Sequence, residues 1–244
     1  ASDVYKRQHK YWVEERFRFY ESIGLPRTSL EEYWQKPEEL AHYARATVDI
    51  LYKFPFGTQE LEGIAARGDF DLSQHQKHSG KPQEYFDQEA GVKYLPHVIE
   101  PSAGADRLVL ALLCEAFHEE EKADVNGKVE TRTILRFHPR IAPIKCGVFP
   151  LLKNKPELVA RAREVLGLLR PHFQVFYDEA GAIGRRYARQ DEAGTPFCVT
   201  VDFDTLGENG PENRDAVTVR HRDSAAQERV PISQLVGWLT ERLG

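Results

Sequence analysis

Residues 94–117 read Tyr-Leu-Pro-His-Val-Ile-Glu-Pro-Ser-Ala-Gly-Ala-Asp-Arg-Leu-Val-Leu-Ala-Leu-Leu-Cys-Glu-Ala-Phe. The order predicts a strand, a tight turn of small residues, and a helix. Leu108, Val109, Leu110, Leu112, Leu113 and Phe117 leave that helix little polar face, so it is expected to be buried. Its first N–H groups lack intrahelical partners and form a natural anion site, with Arg107 in the first turn. Ala103 and Gly104 permit close approach of a ligand to the backbone. Glu100 and Ser102, two apart at the strand end, face the same way. Acceptors beside an anion-binding helix start suit a ligand that carries both an ammonium group and a phosphate. Spacing alone also fits a plainer reading, in which Glu100 ends an edge strand and Asp106 and Arg107 cap a helix.

Upstream, Tyr11, Trp12, Phe17, Phe19, Tyr20 and Ile23 recur through residues 10–24, and Gly24 and Pro26 end the run, which predicts an amphipathic helix. Residues 30–45 are expected to form a loop followed by a short helix. Residues 47–52 are β-branched and apolar and predict a strand, closed by the turn Phe54-Pro55-Phe56-Gly57. Residues 59–64 predict a second strand, with Glu60 and Glu62 on one face. Residues 69–94, polar and punctuated by Gly and Pro, read as a surface insertion. Its His75 and His78 lack a third ligand in sequence, so no metal site is expected. His118 and the three glutamates after it read as a solvated helix end, and Asn126-Gly127 is a hairpin-type turn signal.

Beyond residue 140 the pattern changes. Strands over 144–150, 173–177, 197–202 and 216–221 alternate with helices over 156–169, 183–189 and 232–243. This predicts a mixed, mostly parallel sheet covered by helices, and a division into domains 1–140 and 141–244. Arg185, Arg186 and Arg189 on one short helix offer a basic surface for phosphates, with a solvated, salt-bridged face as the alternative.

Composition narrows the classes. A chain of 244 residues permits one large domain or two ordinary ones. Its 41% hydrophobic and 29% charged residues are proportions of a soluble globular protein. No apolar run approaches the ~20 residues that span a bilayer, and the N-terminus lacks the apolar core of a signal peptide. Cys114, Cys146 and Cys198 are scattered, odd in number and set in apolar runs, as expected of core residues in a reducing cytosol. A net charge of −5 argues against a protein that holds nucleic acid by bulk positive charge. Residues 141–244 carry 14 Lys+Arg and 14 Asp+Glu, against 19 and 24 in residues 1–140, so the second part is the less hostile to RNA. Residues 1–8 lack an initiating Met and resemble translated adapter sequence, which places the start of the genuine sequence near His9.

The segment Glu100-Pro101-Ser102-Ala103-Gly104-Ala105-Asp106-Arg107, followed by an apolar helix, resembles motif 3 of the class II aminoacyl-tRNA synthetases. Its Glu-Pro-Ser form is similar to that of the homodimeric glycyl type. Further stretches agree in order: residues 41–50, Phe54-Pro55-Phe56-Gly57, residues 60–65 through Asp69-Phe70-Asp71-Leu72, and residues 184–189 through Gly194-Thr195-Pro196-Phe197. The resemblance runs from about Lys10 to the end of the chain.

The resemblance implies an α+β protein: part of a class II antiparallel-sheet catalytic domain over 1–140, with motif 3 at 98–113, then an α/β anticodon-binding domain with a mixed sheet over 141–244. It implies ATP-dependent activation of glycine and its transfer to the 3′ end of tRNA(Gly). Motifs 1 and 2 do not appear, so the chain is expected to be a C-terminal fragment, inactive alone. Glycine would lie against Glu100, Pro101, Ser102, Ala103 and Gly104, with Glu100 and Ser102 on its α-ammonium. ATP would meet Glu60, Leu61, Gly104, Ala105, Asp106 and Arg107, with Arg107 on the γ-phosphate and Glu60 helping to place ATP and Mg²⁺. Crowding at Ala103 and Gly104 would exclude larger amino acids. Arg185, Arg186 and Arg189 would meet tRNA. No residue is assigned covalent catalysis, ATP with Mg²⁺ is a substrate, and no tightly bound cofactor is expected. The full-length protein would be a cytoplasmic homodimer with no membrane partner. The alternative is a non-catalytic accessory or tRNA/DNA-binding subunit derived from a synthetase; intact Glu100, Ser102 and Arg107 weigh against it.

Overall fold

The structure, a computed structural model, describes residues 2–123 and 129–244, and its chain packs into two compact units, Ala1–Cys114 and Glu115–Gly244. The first contains helix α1 (Ser2–Ser22), strands β1 (Leu30–Trp34), β2 (Ala46–Phe54) and β3 (Gly57–Gly68), helix α2 (Phe70–Ser79), the short strands β4 (Tyr85–Asp87) and β5 (Val92–Tyr94), and strand β6 (Val98–Ala103). Helix α3 (Ala105–Ala116) follows. Four strands form an antiparallel sheet in the order β1-β2-β3-β6. In α1, His9, Val13, Phe17 and Tyr20 recur every three or four residues and are buried, which is the inward stripe of a helix lying on a sheet. Val48, Ile50, Tyr52 and Ile64 supply buried apolar side chains from β2 and β3.

Residues 30–34 form a strand, because they pair with β2 from Leu30↔Tyr52 to Trp34↔Val48, and no helix follows before residue 45. Glu60 and Glu62 do not share a face. The register slips between Ile50 and Leu51, whose partners are Glu62 and Glu60. The extra residue, Leu61, makes a β-bulge that breaks the alternation of side chains. Glu62 is therefore buried, accepting hydrogen bonds from the Tyr20 hydroxyl and from Arg16 Nε at 2.7 Å, while Glu60 stays exposed. The insertion over 69–94 contains α2 and the β4–β5 ribbon, and Tyr85, Phe86, Val92 and Tyr94 are exposed on it.

The strand, turn and helix of residues 94–117 form as β6 and α3, but the helix is not buried. Val109, Leu110 and Leu113 are 55%, 42% and 40% exposed, and Ala111 is its fully buried residue within the first unit. An apolar face creates a demand for burial without specifying the element that meets it.

The second unit opens with β7 (Phe117–Ala123) and β8 (Val129–Leu135), an antiparallel pair. His118 and its glutamates thus lie on a strand paired with β8, where a helix end is expected from sequence. The turn signal Asn126-Gly127 lies outside the described residues. Then come β9 (Cys146–Pro150), α4 (Pro156–Leu169), β10 (Val175–Tyr177), α5 (Ile183–Ala193), β11 (Phe197–Val201), β12 (Ala216–His221), β13 (Gln227–Pro231) and α6 (Leu235–Leu243). The sheet order is β10-β9-β11-β12-β13, parallel through β10, β9 and β11 and antiparallel beyond. Pro156 opens α4, where its missing N–H costs nothing, and Leu158, Ala162, Val165 and Leu169 form its buried stripe. These pack with Val148, Val199, Val217, Val219 and Leu239 in one core.

The β7–β8 pair packs with the second unit, whose compact body therefore begins just after Cys114. Arg132 of β8 donates through Nε to Asp191 of α5 at 3.0 Å and through a terminal nitrogen to the Arg222 carbonyl at 2.6 Å. Arg222 in turn donates to the carbonyls of Phe137 and Gly194, both at 2.8 Å. Among the described residues no helix is long and apolar enough to cross a membrane.

Candidate functional site

The face of the first sheet that carries Glu100 and Ser102 is a cleft of about 400 Å³. Pairing sets its geometry. Asp49 of β2 lies opposite Gly63 of β3, which lies opposite Ser102 of β6; in the next rung Thr47 lies opposite Ala65, which lies opposite Glu100. The middle strand thus contributes the smallest side chains and the outer strands polar ones, so a trough runs along β3 between two polar walls. Ala103 lies opposite Glu62 and alternates with Ser102, so the floor of the trough is Gly63 and Ala65 in place of Ala103 and Gly104.

Among the described residues that line the cleft are four carboxylates, Glu39, Asp49, Glu60 and Glu100, and one arginine, Arg67. Arg67 Nη1 donates to Glu100 Oε2 at 2.6 Å, and its Nε and Nη2 donate to Asp71 at 2.6 and 2.9 Å. Its guanidinium lies 3.8 Å from the ring centroid of Tyr43. Hydrogen bonds from Arg67 hold the Asp71 carboxyl below its ordinary range. Glu39 is held down likewise, first by the Lys36 N–H and then by the Tyr33 hydroxyl. Nothing in the sequence around Glu100 points to Arg67 as its partner. The partner lies 33 residues upstream, on the strand that pairs with β6.

Arg107 stands in the first turn of α3, exposed, and Nη1 donates to the Glu60 carbonyl at 2.6 Å. The structure therefore brings together Glu60, Glu100, Ser102 and Arg107, which lie as far as 47 residues apart. Leu61 is buried by the bulge, Pro101 is half-buried, and Gly104, Ala105 and Asp106 are exposed at the start of α3.

The three arginines of α5 do not share a surface. Arg186 is 2% exposed, and its guanidinium donates to the carbonyls of Pro150, Leu151 and Gly181. Burial pulls its pKa down from the ordinary arginine value. Arg189 is engaged with Asp178 and with the Ala180 carbonyl at 2.8 Å. Arg185 is exposed.

Residues 145–242, which hold the mixed sheet and its helices, match the family model described as an anticodon binding domain. The whole chain is similar to glycine–tRNA ligases. It is 50% identical to that of Thermobifida fusca over 96% of this chain and 50% of the relative. It is 48% identical to that of Streptomyces coelicolor over 98% and 51%, and 49% identical to that of Thermus thermophilus over 96% and 50%. The chain spans about half the length of these relatives.

Proposed function

We propose that the chain carries the amino-acid and nucleotide cleft of a glycine–tRNA ligase, together with the domain that meets its tRNA. The observation that carries this reading is the convergence of Glu60, Glu100 and Ser102 on one trough, with Arg107 tied to the Glu60 carbonyl beside it. A cleft with four carboxylates and one engaged guanidinium favours a ligand bearing an ammonium group or a metal ion. Arg107 at the adjoining helix start favours a phosphate. Glycine with Mg²⁺-bound ATP combines these features.

In the reaction, a carboxylate oxygen of glycine attacks the α-phosphorus of ATP, the bond to the bridging oxygen breaks, and pyrophosphate leaves. The terminal hydroxyl of tRNA then attacks the glycyl carbonyl, and AMP departs. The chain's residues serve alignment and charge stabilisation. Glu100, fixed by Arg67, and Ser102 accept hydrogen bonds from the α-ammonium. Arg107, tied to the Glu60 carbonyl, meets the γ-phosphate, and the Glu60 carboxylate helps to place ATP and its Mg²⁺. On the second unit, exposed Arg185 meets the tRNA backbone, whereas Arg186 supports the loop before α5. The full-length protein is, in this reading, a cytoplasmic homodimer. The test is ATP–pyrophosphate exchange by a protein that carries this chain at the full length of its relatives. Exchange that depends on glycine and not on alanine or serine is expected; its absence with every amino acid would leave an accessory subunit as the better reading.

A further inference from the structure

The α-ammonium of an amino acid carries three N–H donors. Glu100 and Ser102 offer acceptors from one wall of the trough only, and Oε2 of Glu100 is already bound to Arg67. Across the trough, on the same rung as Ser102, stands Asp49, which is 8% exposed. Its Oδ2 accepts a hydrogen bond from Gln35 Nε2 at 2.9 Å. That donor is a neutral amide, so it does not compensate the carboxylate's charge, and a buried carboxylate without a cation is unfavourable.

The other oxygen, Oδ1, borders the space above Gly63. A Cβ added to Gly63 would lie 3.5 Å from Asp49 Oδ1 and 3.6 Å from Glu60 Oε1. Both are ordinary van der Waals distances, and Gly63 has no left-handed φ. Neither backbone conformation nor packing therefore requires glycine here. Its absent side chain leaves a methyl-sized space between two carboxylates, on the floor of the trough.

We propose that Asp49 and Gly63 complete the amino-acid site. The ligand's ammonium group sits over Gly63 and donates to Asp49 Oδ1 as well as to the Glu100 wall. The bare backbone at residue 63 is what gives it room. This rests on the reading of the cleft as a glycine site and adds its far wall and its floor. Asp49 sets amino-acid affinity through charge, and Gly63 sets it through shape.

The experiment is ATP–pyrophosphate exchange by the full-length protein that contains this chain, unsubstituted and with Asp49→Asn or Gly63→Ala. Asp49→Asn is expected to raise the glycine KM about 10- to 100-fold, as befits a lost charged hydrogen bond, with the ATP KM changed less than about twofold. Gly63→Ala is expected to lower exchange more than about 100-fold at accessible glycine concentrations, with the melting temperature shifted by less than about 2 °C. A glycine KM within about twofold of the parent in Asp49→Asn overturns the proposal, and so does an equal rise in both KM values. Should Gly63→Ala fail to fold, Asp49→Asn alone decides. Absence of glycine-dependent exchange in the unsubstituted protein overturns instead the underlying reading of the cleft, and with it this proposal.

Discussion

Replacing Asp191 by alanine should loosen the second unit from its interior. Arg220 holds Asp191 through two hydrogen bonds of 2.8 and 3.0 Å, and both residues are buried. Removing one partner of a buried pair typically costs about 3–5 kcal/mol, because the other charge is left uncompensated. Two features moderate the loss. The Arg220 guanidinium lies 4.8 Å from the Tyr187 ring centroid and keeps that contact. Arg132 also lies within 3.2 Å of Glu120 and is partly exposed. The net cost is therefore placed at about 3 kcal/mol, or roughly a hundredfold in the opening equilibrium. Amide hydrogen exchange of β11 and β12 in the whole chain reads it directly, since their exchange reports opening of this unit. Arg132→Met, which loses the same carboxylate from the more exposed side, should cost only about 1 kcal/mol. A cost below about 0.5 kcal/mol for Asp191→Ala, or equal costs for the two variants, would refute the reasoning.

The arginines of α5 should separate in their effects. Arg186→Ala is expected to destabilise the second unit by about 3 kcal/mol in urea unfolding, whereas Arg185→Ala should leave stability within about 0.5 kcal/mol and weaken binding of glycine tRNA in a salt-dependent way. Asp202 supplies a pH test. Burial raises its pKa, but hydrogen bonds from Arg229 and Thr218 outweigh this and hold it below the ordinary value. Its contribution is then fully present above the unfolded carboxylate's pKa, about 4, and is lost as pH falls through the lower folded value. Asp202→Asn should therefore be less stable than the parent at pH 7, with the gap narrowing below about pH 4; a gap independent of pH would contradict this. In the full-length protein, Arg107→Ala should raise the ATP KM and slow pyrophosphate exchange with little change in melting temperature; unchanged exchange kinetics would remove Arg107 from nucleotide binding.

What the sequence revealed was local. Pro156 followed by Leu158, Ala162, Val165 and Leu169 marks both ends and the buried face of α4, because every signal lies within one helix. Strand β13 was not foreseen, since Gln227-Glu228-Arg229-Val230-Pro231 lacks apolar alternation and is held by pairing with β12. The opposite facing of Glu60 and Glu62 depends on a bulge that exists only once β2 and β3 pair. The engagement of Glu100 by Arg67 likewise depends on register between strands distant in sequence. Arg186 shares a helix with two exposed arginines, and its burial follows from carbonyls at Pro150 and Leu151. The residue types at the candidate site were legible, whereas their partners were fixed by long-range pairing.

The central claim is that the wall containing Glu100 reads the ammonium group of glycine. Its most direct measurement compares the parent and Glu100→Gln in glycine-dependent ATP–pyrophosphate exchange by the full-length protein. The side chain of Glu100 is partly exposed, and Arg67 retains Asp71, so the substitution should leave the fold intact. Loss of a charged acceptor should raise the glycine KM by about 10- to 100-fold, while ATP binding without glycine stays near that of the parent. A glycine KM that barely moves, or ATP binding that collapses to the same extent, would make Glu100 a structural partner of Arg67 and contradict the account.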